Sequence, residues 1–260
     1  RINKVSIIGA GCVGSFFAKA FHKKGIEIVE IISRRKYSSL TLANEVGAKA
    51  RYDNFKGFDP SADLYILSVK DEVIMELRKE FVMEGQIIAH TSGSMPKDVF
   101  SQTAKNYGIF YPLQTISRLR EIDIKDVPIF VDGSNKGTTG LLYDLAERVS
   151  DNVNIVRDHK LTKLHMAAVF ASNFTNYLYK IAEDILNEEG QGLGVLKPLV
   201  RETVEKAFTF GPEGAQTGPA KRGDCNITDK HLELLEGDRK KLYRLVTDMI
   251  REDFKPKDKK

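Results

Sequence analysis

Three glycines near the start of the chain have the spacing of a phosphate-binding loop. Gly9, Gly11 and Gly14 lie in GAGCVG, which follows the apolar run KVSII and precedes a helical pattern at about residues 13–24. In such a loop the first glycine permits a tight turn, the second admits a pyrophosphate, and the third lets helix and strand pack closely. The N–H groups at the start of the helix would then face the phosphates. We expect a dinucleotide to bind at Gly9, Ala10, Gly11, Cys12, Val13 and Gly14; the alternative is a purely structural turn.

The end of the second predicted strand indicates which dinucleotide binds. An acidic residue there binds the ribose 2′-OH of NAD, and it would repel the 2′-phosphate of NADP. Ser33 occupies that position, 19 residues after Gly14, and is followed by Arg34 and Arg35. Hydroxyl and guanidinium groups bind phosphate well, so this strand end predicts NADP (NADPH) as the cofactor. Glu30 lies inside the strand and is interpreted as a sheet residue. The alternative is that both arginines are a solvated strand end.

Two further loops follow predicted strands at the same edge of the sheet, where such folds bind their ligands. The first is SVKD and the second is HTSGSMP, which begins at His90. We expect His90 to position the reacting groups; the alternative is a strand-end histidine hydrogen-bonded to backbone. The residues of the two loops expected to contact the cofactor are Ser68, Val69, Lys70, Thr91 and Ser92.

A long predicted helix carries polar residues in an apolar setting. At 100° per residue, His165 and Asn176 point within about 20° of each other, and Asn173 lies about 60–80° away. His165 is the candidate proton donor because histidine titrates near neutrality, with Asn173 as a catalytic positioning group and Asn176 as a substrate ligand. The alternative is that these residues are satisfied polar groups at a helix–helix or dimer contact.

A Gly/Pro-rich stretch, FGPEGAQTGPAKRGD, separates two later helical patterns and is predicted to be a loop. Its residues Arg222 and Asp224 are expected to anchor an anionic substrate. An exposed connector explains the stretch equally well.

The elements that position these residues change character after residue 157. Before it, strands are predicted at about 4–9, 26–32, 63–69, 86–90, 108–111, 128–132 and 153–157. Helices are predicted between them, including one capped by Ser38 or Ser39 and one opened by Asp71. Strand–helix alternation predicts a parallel sheet covered on both faces. After residue 157, only helices are predicted, and the first of them is about thirty residues long. The fold class is α/β, with a Rossmann-like doubly wound sheet (1–157), then an all-helical domain (158–254) and a basic tail (255–260).

Composition excludes several other classes. The net charge of the 260-residue chain is +4, and the last six residues, with four lysines and one aspartate, supply most of it. A near-neutral body argues against a nucleic-acid partner. The apolar runs are too short for a membrane span, and the chain enters a strand with no room for a signal peptide.

Two cysteines make neither a disulfide framework nor a metal site, and they favour a reducing, cytoplasmic setting. Cys12 is interpreted as a packing residue rather than a redox sensor. The long helix needs a partner for its apolar faces, so we expect a homodimer formed through the helical domain.

Several motifs resemble one group of proteins within the 6-phosphogluconate-dehydrogenase-like superfamily. They are the glycine loop, Ser-Arg-Arg, LSVKD, HTSGS, YPLQTIS, HMAAVFASNFTNYLY and TGPAKRGD. The chain resembles, over nearly its whole length, an uncharacterised Rossmann-like NADP-binding family with a C-terminal helical domain of unknown function, whose members are provisionally named NADP oxidoreductases. The resemblance implies the fold and the NADP cofactor, and it supplies no substrate.

The resemblance also shows a departure. In the β-hydroxyacid dehydrogenases of the superfamily a Lys-x-x-x-Asn pair on the long helix is catalytic, whereas Ala167 stands four residues after Lys163 here. His165 is the candidate to replace that lysine.

Two functions follow from these observations. The first is an NADP(H)-dependent oxidoreductase that acts on a small carbonyl, imine or hydroxy acid held between the domains. The second is a non-catalytic NADP(H)-binding regulatory or sensor protein, which the missing Lys-x-x-x-Asn pair favours.

Overall fold

The computed structural model describes residues 1–52, 55 and 57–255. Eight strands form one sheet in the order β3-β2-β1-β4-β5-β6-β7-β8. The first six strands are parallel, β7 is antiparallel to β6, and β8 is parallel to β7. The strands are β1 Lys4–Ile8, β2 Glu27–Ser33, β3 Lys49–Tyr52, β4 Leu64–Leu67, β5 Met83–His90, β6 Ala104–Pro112, β7 Ile129–Gly133 and β8 Val153–Ile155.

Ten α-helices accompany the sheet within the described residues. They are α1 Cys12–Lys23, α2 Lys36–Val46, α3 Asp71–Leu77, α4 Lys136–Glu147, α5 Asp158–Ala168, α6 Thr175–Glu188, α7 Lys197–Ala215, α8 Pro219–Arg222, α9 Cys225–Leu234 and α10 Gly237–Asp253. A π-helical segment, Val169–Phe174, joins α5 to α6 without a break.

The sheet is covered on both faces, as the apolar strands predict. On one face, Phe17 and Phe21 of α1 pack their rings 5.1 and 5.9 Å from Phe110 of β6. On the other face, Tyr65 of β4 and Phe81 belong to a second buried cluster that includes α3. The two clusters hold the central strands in place, so the strand ends form a rigid edge.

The reversal of strand order between β1 and β4 creates the crevice that binds ligands in doubly wound sheets. The carboxyl ends of β1, β4, β5 and β6 share one edge because these four strands are parallel. The phosphate loop, SVKD, HTSGSMP and the end of β6 therefore lie side by side.

The α/β fold followed by helices is confirmed, with four corrections. The short strand β3 was not expected, and the pairing of β7 with β6 is antiparallel. Helix α2 begins at Lys36 and Arg35 is its N-cap, so Ser38 and Ser39 do not cap it. Ser39 is instead buried, and its hydroxyl donates to the carbonyl groups of Ile31 and Arg51.

The fourth correction concerns the Gly/Pro-rich stretch. Helix α7 continues through a kink at Gly211 to Ala215, and α8 follows after three residues. Glycine tolerates the left-handed φ of +74° at this kink, so the helical hydrogen bonding resumes beyond it. The predicted long loop is therefore mostly helical.

Contacts divide the chain into two compact units, Arg1–Asn173 and Phe174–Lys260. Helix α5 and residues 169–173 of the π-helical segment consequently group with the sheet. The boundary expected after residue 157 is the point at which the strands end and the helices begin. The basic tail, apart from Lys255, lies outside the described residues. No helix in the described part of the chain is both long and apolar enough to cross a bilayer.

Candidate functional site

The phosphate loop owes its shape to two glycines that tolerate no side chain. Gly9 has a φ of +108°, and a Cβ there would lie 2.3 Å from the carbonyl oxygen of Ser68. A Cβ on Gly14 would lie 1.8 Å from the carbonyl oxygen of Gly9. Both close approaches are to backbone, which cannot move aside, so these glycines let β1, α1 and the start of the next loop touch.

Gly11 differs from the other two glycines because nothing lies within 4 Å of its Cβ position. It is also the N-cap of α1, where no side chain bonds the free backbone N–H groups and no acidic residue occupies the first turn. Open space beside uncapped N–H groups is the arrangement that receives a pyrophosphate. The loop therefore fits the dinucleotide that its sequence predicts.

The Ser68 hydroxyl gives a second indication that a ligand binds at this edge of the sheet. Its Oγ is buried and has no hydrogen-bond partner among the described residues. Buried hydroxyl groups are nearly always bonded, and a cofactor lying across β1 and β4 would supply an acceptor. Val69 lies next to the phosphate loop, with its side chain 2.9 Å from the Cβ position of Gly9.

The end of β2 carries two exposed arginines. No described carboxylate pairs with Arg34 or Arg35, and the half-buried Ser33 hydroxyl accepts a 3.3 Å hydrogen bond from the backbone N–H of Arg35. Glu30 is buried and forms a 3.0 Å ion pair with Arg51, which confirms it as a sheet residue. Within the described residues, the strand end thus presents two arginines without a carboxylate partner.

The loops after β4 and β5 are joined by side-chain hydrogen bonds. The Ser94 hydroxyl donates to Asp71 over 2.6 Å, and the Ser92 hydroxyl accepts from the N–H groups of Ser94 and Met95. Thr91 bonds the carbonyl oxygen of Leu67 at 3.4 Å. These bonds hold Thr91 and Ser92 in a compact turn. Lys70, the N-cap of α3, is exposed beside that turn.

His90 is buried at the end of β5, and both ring nitrogens bond the backbone. Its Nδ1 accepts from the N–H of Ser92 at 3.2 Å, and its Nε2 lies 3.3 Å from the carbonyl oxygen of Pro96. Burial lowers the pKa of His90 to about 4, so the ring is neutral at pH 7. This geometry matches the alternative interpretation, in which His90 orders the loop.

His165, on α5, also contacts the loop after β5. Its ring lies over Gly93, where a Cβ would approach the imidazole to 2.8 Å. Its Nδ1 lies 2.9 Å from the hydroxyl of Tyr111, and the two rings meet edge to face. The Nε2 atom has no partner among the described residues, so one ring nitrogen is held and the other is available.

Tyr111 is a site residue that sequence reasoning did not select. It stands at the end of β6, the fourth parallel strand to end at this edge, and burial raises the pKa of its hydroxyl. The sequence signal that could have identified Tyr111 was its position at the end of a run of apolar strand residues. The pairing with His165, 54 residues later, is visible only in three dimensions.

The π-helical segment changes the geometry of the helical residues. A π-helix has a wider turn than an α-helix, so 100° per residue does not hold across Val169–Phe174. The angular argument that grouped Asn173 and Asn176 with His165 therefore fails. Asn173 is exposed within this segment, and a catalytic role for it stays a prediction.

The remaining candidates lie in the second compact unit. Asn176 is exposed on α6, Arg222 is the last residue of α8, and Asp224 is the N-cap of α9. The backbone around Asp224 is internally bonded, with its N–H donating to the carbonyl oxygen of Pro219 at 2.9 Å. Their roles in substrate binding stay predictions. Among the described residues, no group of three or more His, Cys, Asp or Glu side chains could hold a metal ion.

Two family descriptions match the chain. Residues 4–92 match the family described as NADP oxidoreductase coenzyme F420-dependent, and residues 127–250 match the domain of unknown function DUF2520. A comparison with curated proteins found no match.

Solved structures share the fold over almost the whole chain. A Bacteroides fragilis protein with the provisional name NADP oxidoreductase BF3122 is 36% identical, with 96% of this chain and 98% of that chain covered and a TM-score of 0.89. A reductive aminase from Aspergillus terreus, in complex with NADPH and ethyl-5-oxohexanoate, is 16% identical, with 97% and 95% covered and a TM-score of 0.70. An imine reductase from Myxococcus stipitatus, in complex with NADP+, is 16% identical, with 96% and 92% covered and a TM-score of 0.65.

Proposed function

Because the chain belongs to the family that joins an NADP oxidoreductase-type nucleotide-binding domain to the helical domain DUF2520, we propose that it is an NADP(H)-dependent oxidoreductase. Its substrate is a small carbonyl, imine or hydroxy acid. The reductive aminase and imine reductase neighbours, which were crystallised with NADPH and NADP+, support this class through a shared fold.

NADP(H) is the cofactor of this family, and the residues at the edge of the sheet fit it. The open space at Gly11 and the uncapped N-terminus of α1 receive the pyrophosphate. Arg34 and Arg35, with the hydroxyl of Ser33, bind the 2′-phosphate. Bound NADPH supplies a hydride.

His165 is the proton donor in this proposal. In the protonated ring, Nδ1–H would donate to the Tyr111 hydroxyl, which lies 2.9 Å away, and Nε2 would carry the transferable proton. In reduction, Nε2 of the imidazolium would give its proton to the carbonyl oxygen or imine nitrogen, which leaves the ring as neutral imidazole, and the hydride would come from NADPH. Tyr111 orients the ring and fixes its tautomer, since the hydrogen bond at one nitrogen decides which nitrogen is protonated.

The observation that carries the proposal is the fixed imidazole with one available nitrogen beside the cofactor-side loops. Its ring lies against Gly93, and the loop containing Gly93 is bonded through Ser94 to Asp71, at the start of α3. A general acid needs a defined position within hydrogen-bond reach of the substrate, and this arrangement supplies one.

The test is a turnover assay with NADPH and a panel of small aldehydes, ketones, imines and keto acids. We expect the wild type to oxidise NADPH with at least one member, and His165→Gln to lose roughly a hundredfold or more of that rate. Tyr111→Phe should retain cofactor affinity, with lower kcat and a shifted pH profile. Full turnover by His165→Gln would remove the proton-donor role.

A non-catalytic NADP(H) sensor is the second candidate, because the Lys-x-x-x-Asn pair of related dehydrogenases is absent. In this case NADPH would bind and no panel member would be reduced. Side-by-side fluorescence titration with NADPH and NADH separates binding from turnover. A preference for NADPH of tenfold or more, which Arg34→Ala abolishes, would establish how the 2′-phosphate is read.

The protein is also proposed to be a homodimer formed through the helical residues. Of residues 174–255, only Ala220, Thr228 and Thr247 are buried. Large apolar side chains are exposed along successive helices, namely Tyr177, Leu178, Leu199, Phe208, Phe210 and Leu234. A helical unit with so little core of its own requires another surface, and a second copy offers the same apolar helices. The cytoplasmic setting stays a prediction from cysteine usage.

A further inference from the structure

An irregular segment between β6 and β7 runs alongside the phosphate loop. We call residues 113–123 the strap. Together with the following 3₁₀ turn at Ile124–Asp126, the strap borders a cavity of about 750 Å³ whose other walls are α1 and α2. Cys12 and Ser15, from the first turns of α1, line the same cavity. The strap therefore passes beside the end of α1 that receives phosphate.

One side chain of the strap contacts the phosphate loop directly. The guanidinium group of Arg118 donates from Nη2 to the carbonyl oxygen of Ala10 at 3.1 Å. Ala10 lies between the two glycines that open the loop, 108 residues earlier in the chain. The contact places a permanent cation next to the backbone that cradles the pyrophosphate.

The guanidinium retains most of its binding capacity. Arginine has five N–H donors, and the described residues provide Ala10 as acceptor for one of them. No described carboxylate forms an ion pair with Arg118, although Glu121 and Asp123 lie on the same strap. An unpaired guanidinium can therefore bind phosphate oxygens while its bond to Ala10 persists.

We propose that Arg118 binds the cofactor pyrophosphate, so that one side chain of the strap contributes to the dinucleotide site. The inference rests on the NADP(H) binding in the proposed function, and it requires no turnover. The proposal also distinguishes two arginines by the phosphate group that each would bind. Arg34 would read the 2′-phosphate, which only NADPH carries, whereas Arg118 would bind a group that NADPH and NADH share.

The experiment compares NADPH and NADH affinity in the wild type, Arg118→Ala, Arg118→Lys and Arg120→Ala. Arg120 is the matched control, because it is exposed on the same strap and forms no ion pair with a described residue. We expect Arg118→Ala to weaken both cofactors by a similar factor of roughly tenfold or more, and to reduce the salt dependence of binding. Arg118→Lys should retain part of the affinity, and Arg120→Ala should bind as the wild type does.

Three results would overturn the inference: unchanged affinity in Arg118→Ala, a loss confined to NADPH, or an equal loss in Arg120→Ala. A wild type that binds NADPH but reduces no substrate would defeat the oxidoreductase proposal and leave the Arg118 comparison decisive. A wild type that binds neither cofactor would overturn both proposals.

A second readout distinguishes a cofactor ligand from a simple tether. Trypsin cleaves after Arg118 and Arg120, and a bound cofactor that holds the strap should slow both cleavages in the wild type. In Arg118→Ala, NADPH at saturating concentration should protect the Arg120 site less. Equal protection in the two proteins would mean that Arg118 only tethers the strap to Ala10.

Discussion

Two histidines at the same edge of the sheet differ in what their rings can do. His90 is buried and uses both nitrogens to order the loop after β5. His165 is half-buried and uses one nitrogen, which bonds Tyr111. The side chains are chemically identical, so their surroundings alone determine that both ring nitrogens of His90 are held by backbone, whereas only one of His165 has a partner among the described residues.

The first prediction concerns the pH dependence of stability at His90. Its pKa falls from 6.5 to about 4 on folding, so the unfolded chain binds more protons between these values. This residue should therefore contribute stability that is present above pH 6.5 and lost as the pH falls toward 4, by about 3 kcal/mol in total. Urea unfolding from pH 7 to 4 should show a shallower dependence for His90→Gln. An identical dependence in both proteins would contradict the burial argument.

The second prediction tests whether Gly93 sets the position of His165. A methyl group at residue 93 would meet the imidazole at 2.8 Å, so Gly93→Ala should displace the ring. We expect kcat to fall by roughly tenfold or more with NADPH affinity unchanged, because small displacements of a catalytic group are costly. Steady-state kinetics and NADPH titration measure the two effects separately.

Gly85→Ala is the matched control for this substitution. Gly85 is on β5, and nothing lies within 4 Å of its Cβ position. Equal kinetics in the two alanine variants would mean that the loop gives way and that Gly93 does not position the ring.

At the scale of elements, the site depends on how closely α1 and β1 approach. The missing Cβ of Gly14 allows the first turn of α1 to rest on the carbonyl group of Gly9. Strand β1 is buried on both faces, so it cannot shift to make room. The direction of the helix N-terminus toward the phosphates follows from this contact.

The third prediction is that Gly14→Ala damages stability and cofactor binding together. Its Cβ would lie 1.8 Å from a backbone oxygen, so α1 must move as a unit. We expect a loss of about 1–3 kcal/mol in unfolding free energy and a large loss of NADPH affinity. Thermal unfolding and fluorescence titration would measure these effects.

The control for this element is Gly140→Ala in α4. This glycine is exposed, and nothing lies within 4 Å of its Cβ position. Alanine should stabilise that helix by roughly 0.5–1 kcal/mol. If Gly14→Ala behaved like Gly140→Ala, the close contact between α1 and β1 would not matter.

The π-helical segment is the other element that bears on function. It begins four residues after His165 and contains Asn173. Such segments are rare in proteins overall, but those that occur often lie at functional sites, because they alter the order in which side chains project. Helical periodicity read from the sequence cannot detect one, since the residues on both sides remain good helix formers.

At the scale of the whole molecule, the two units differ in how much core they contain. The sheet unit buries complete aromatic clusters, whereas the second unit buries three small residues within its described part. Apolar side chains such as Phe208, which is 89% exposed, would face water in an isolated chain. The proposed dimer would bury these side chains against a second copy of the chain.

The fourth prediction tests that association. Phe208→Asp should weaken or abolish the dimer, which size-exclusion chromatography with light scattering would detect as a halved mass. Val82→Asp is the control, since Val82 is 78% exposed and belongs to the sheet unit. A wild type of monomeric mass at micromolar concentration would contradict the proposed dimer.

The sequence by itself determined the features that depend on local order. The spacing of Gly9, Gly11 and Gly14 fixes a turn between neighbouring elements, and Ser33-Arg34-Arg35 follows directly from a strand. The apolar strands and helical periodicity likewise predicted the sheet and the later helices, because each pattern is set by residues close in the chain.

Only the tertiary structure decided the features that join distant residues. The antiparallel pairing of β7, the short strand β3 and the π-helical segment arise from packing that no local pattern encodes. The Tyr111–His165 pair and the Arg118–Ala10 contact span 54 and 108 residues. Such contacts depend on strand order and on the path of the connecting segments, so the chain must fold before the partners of these side chains can be known.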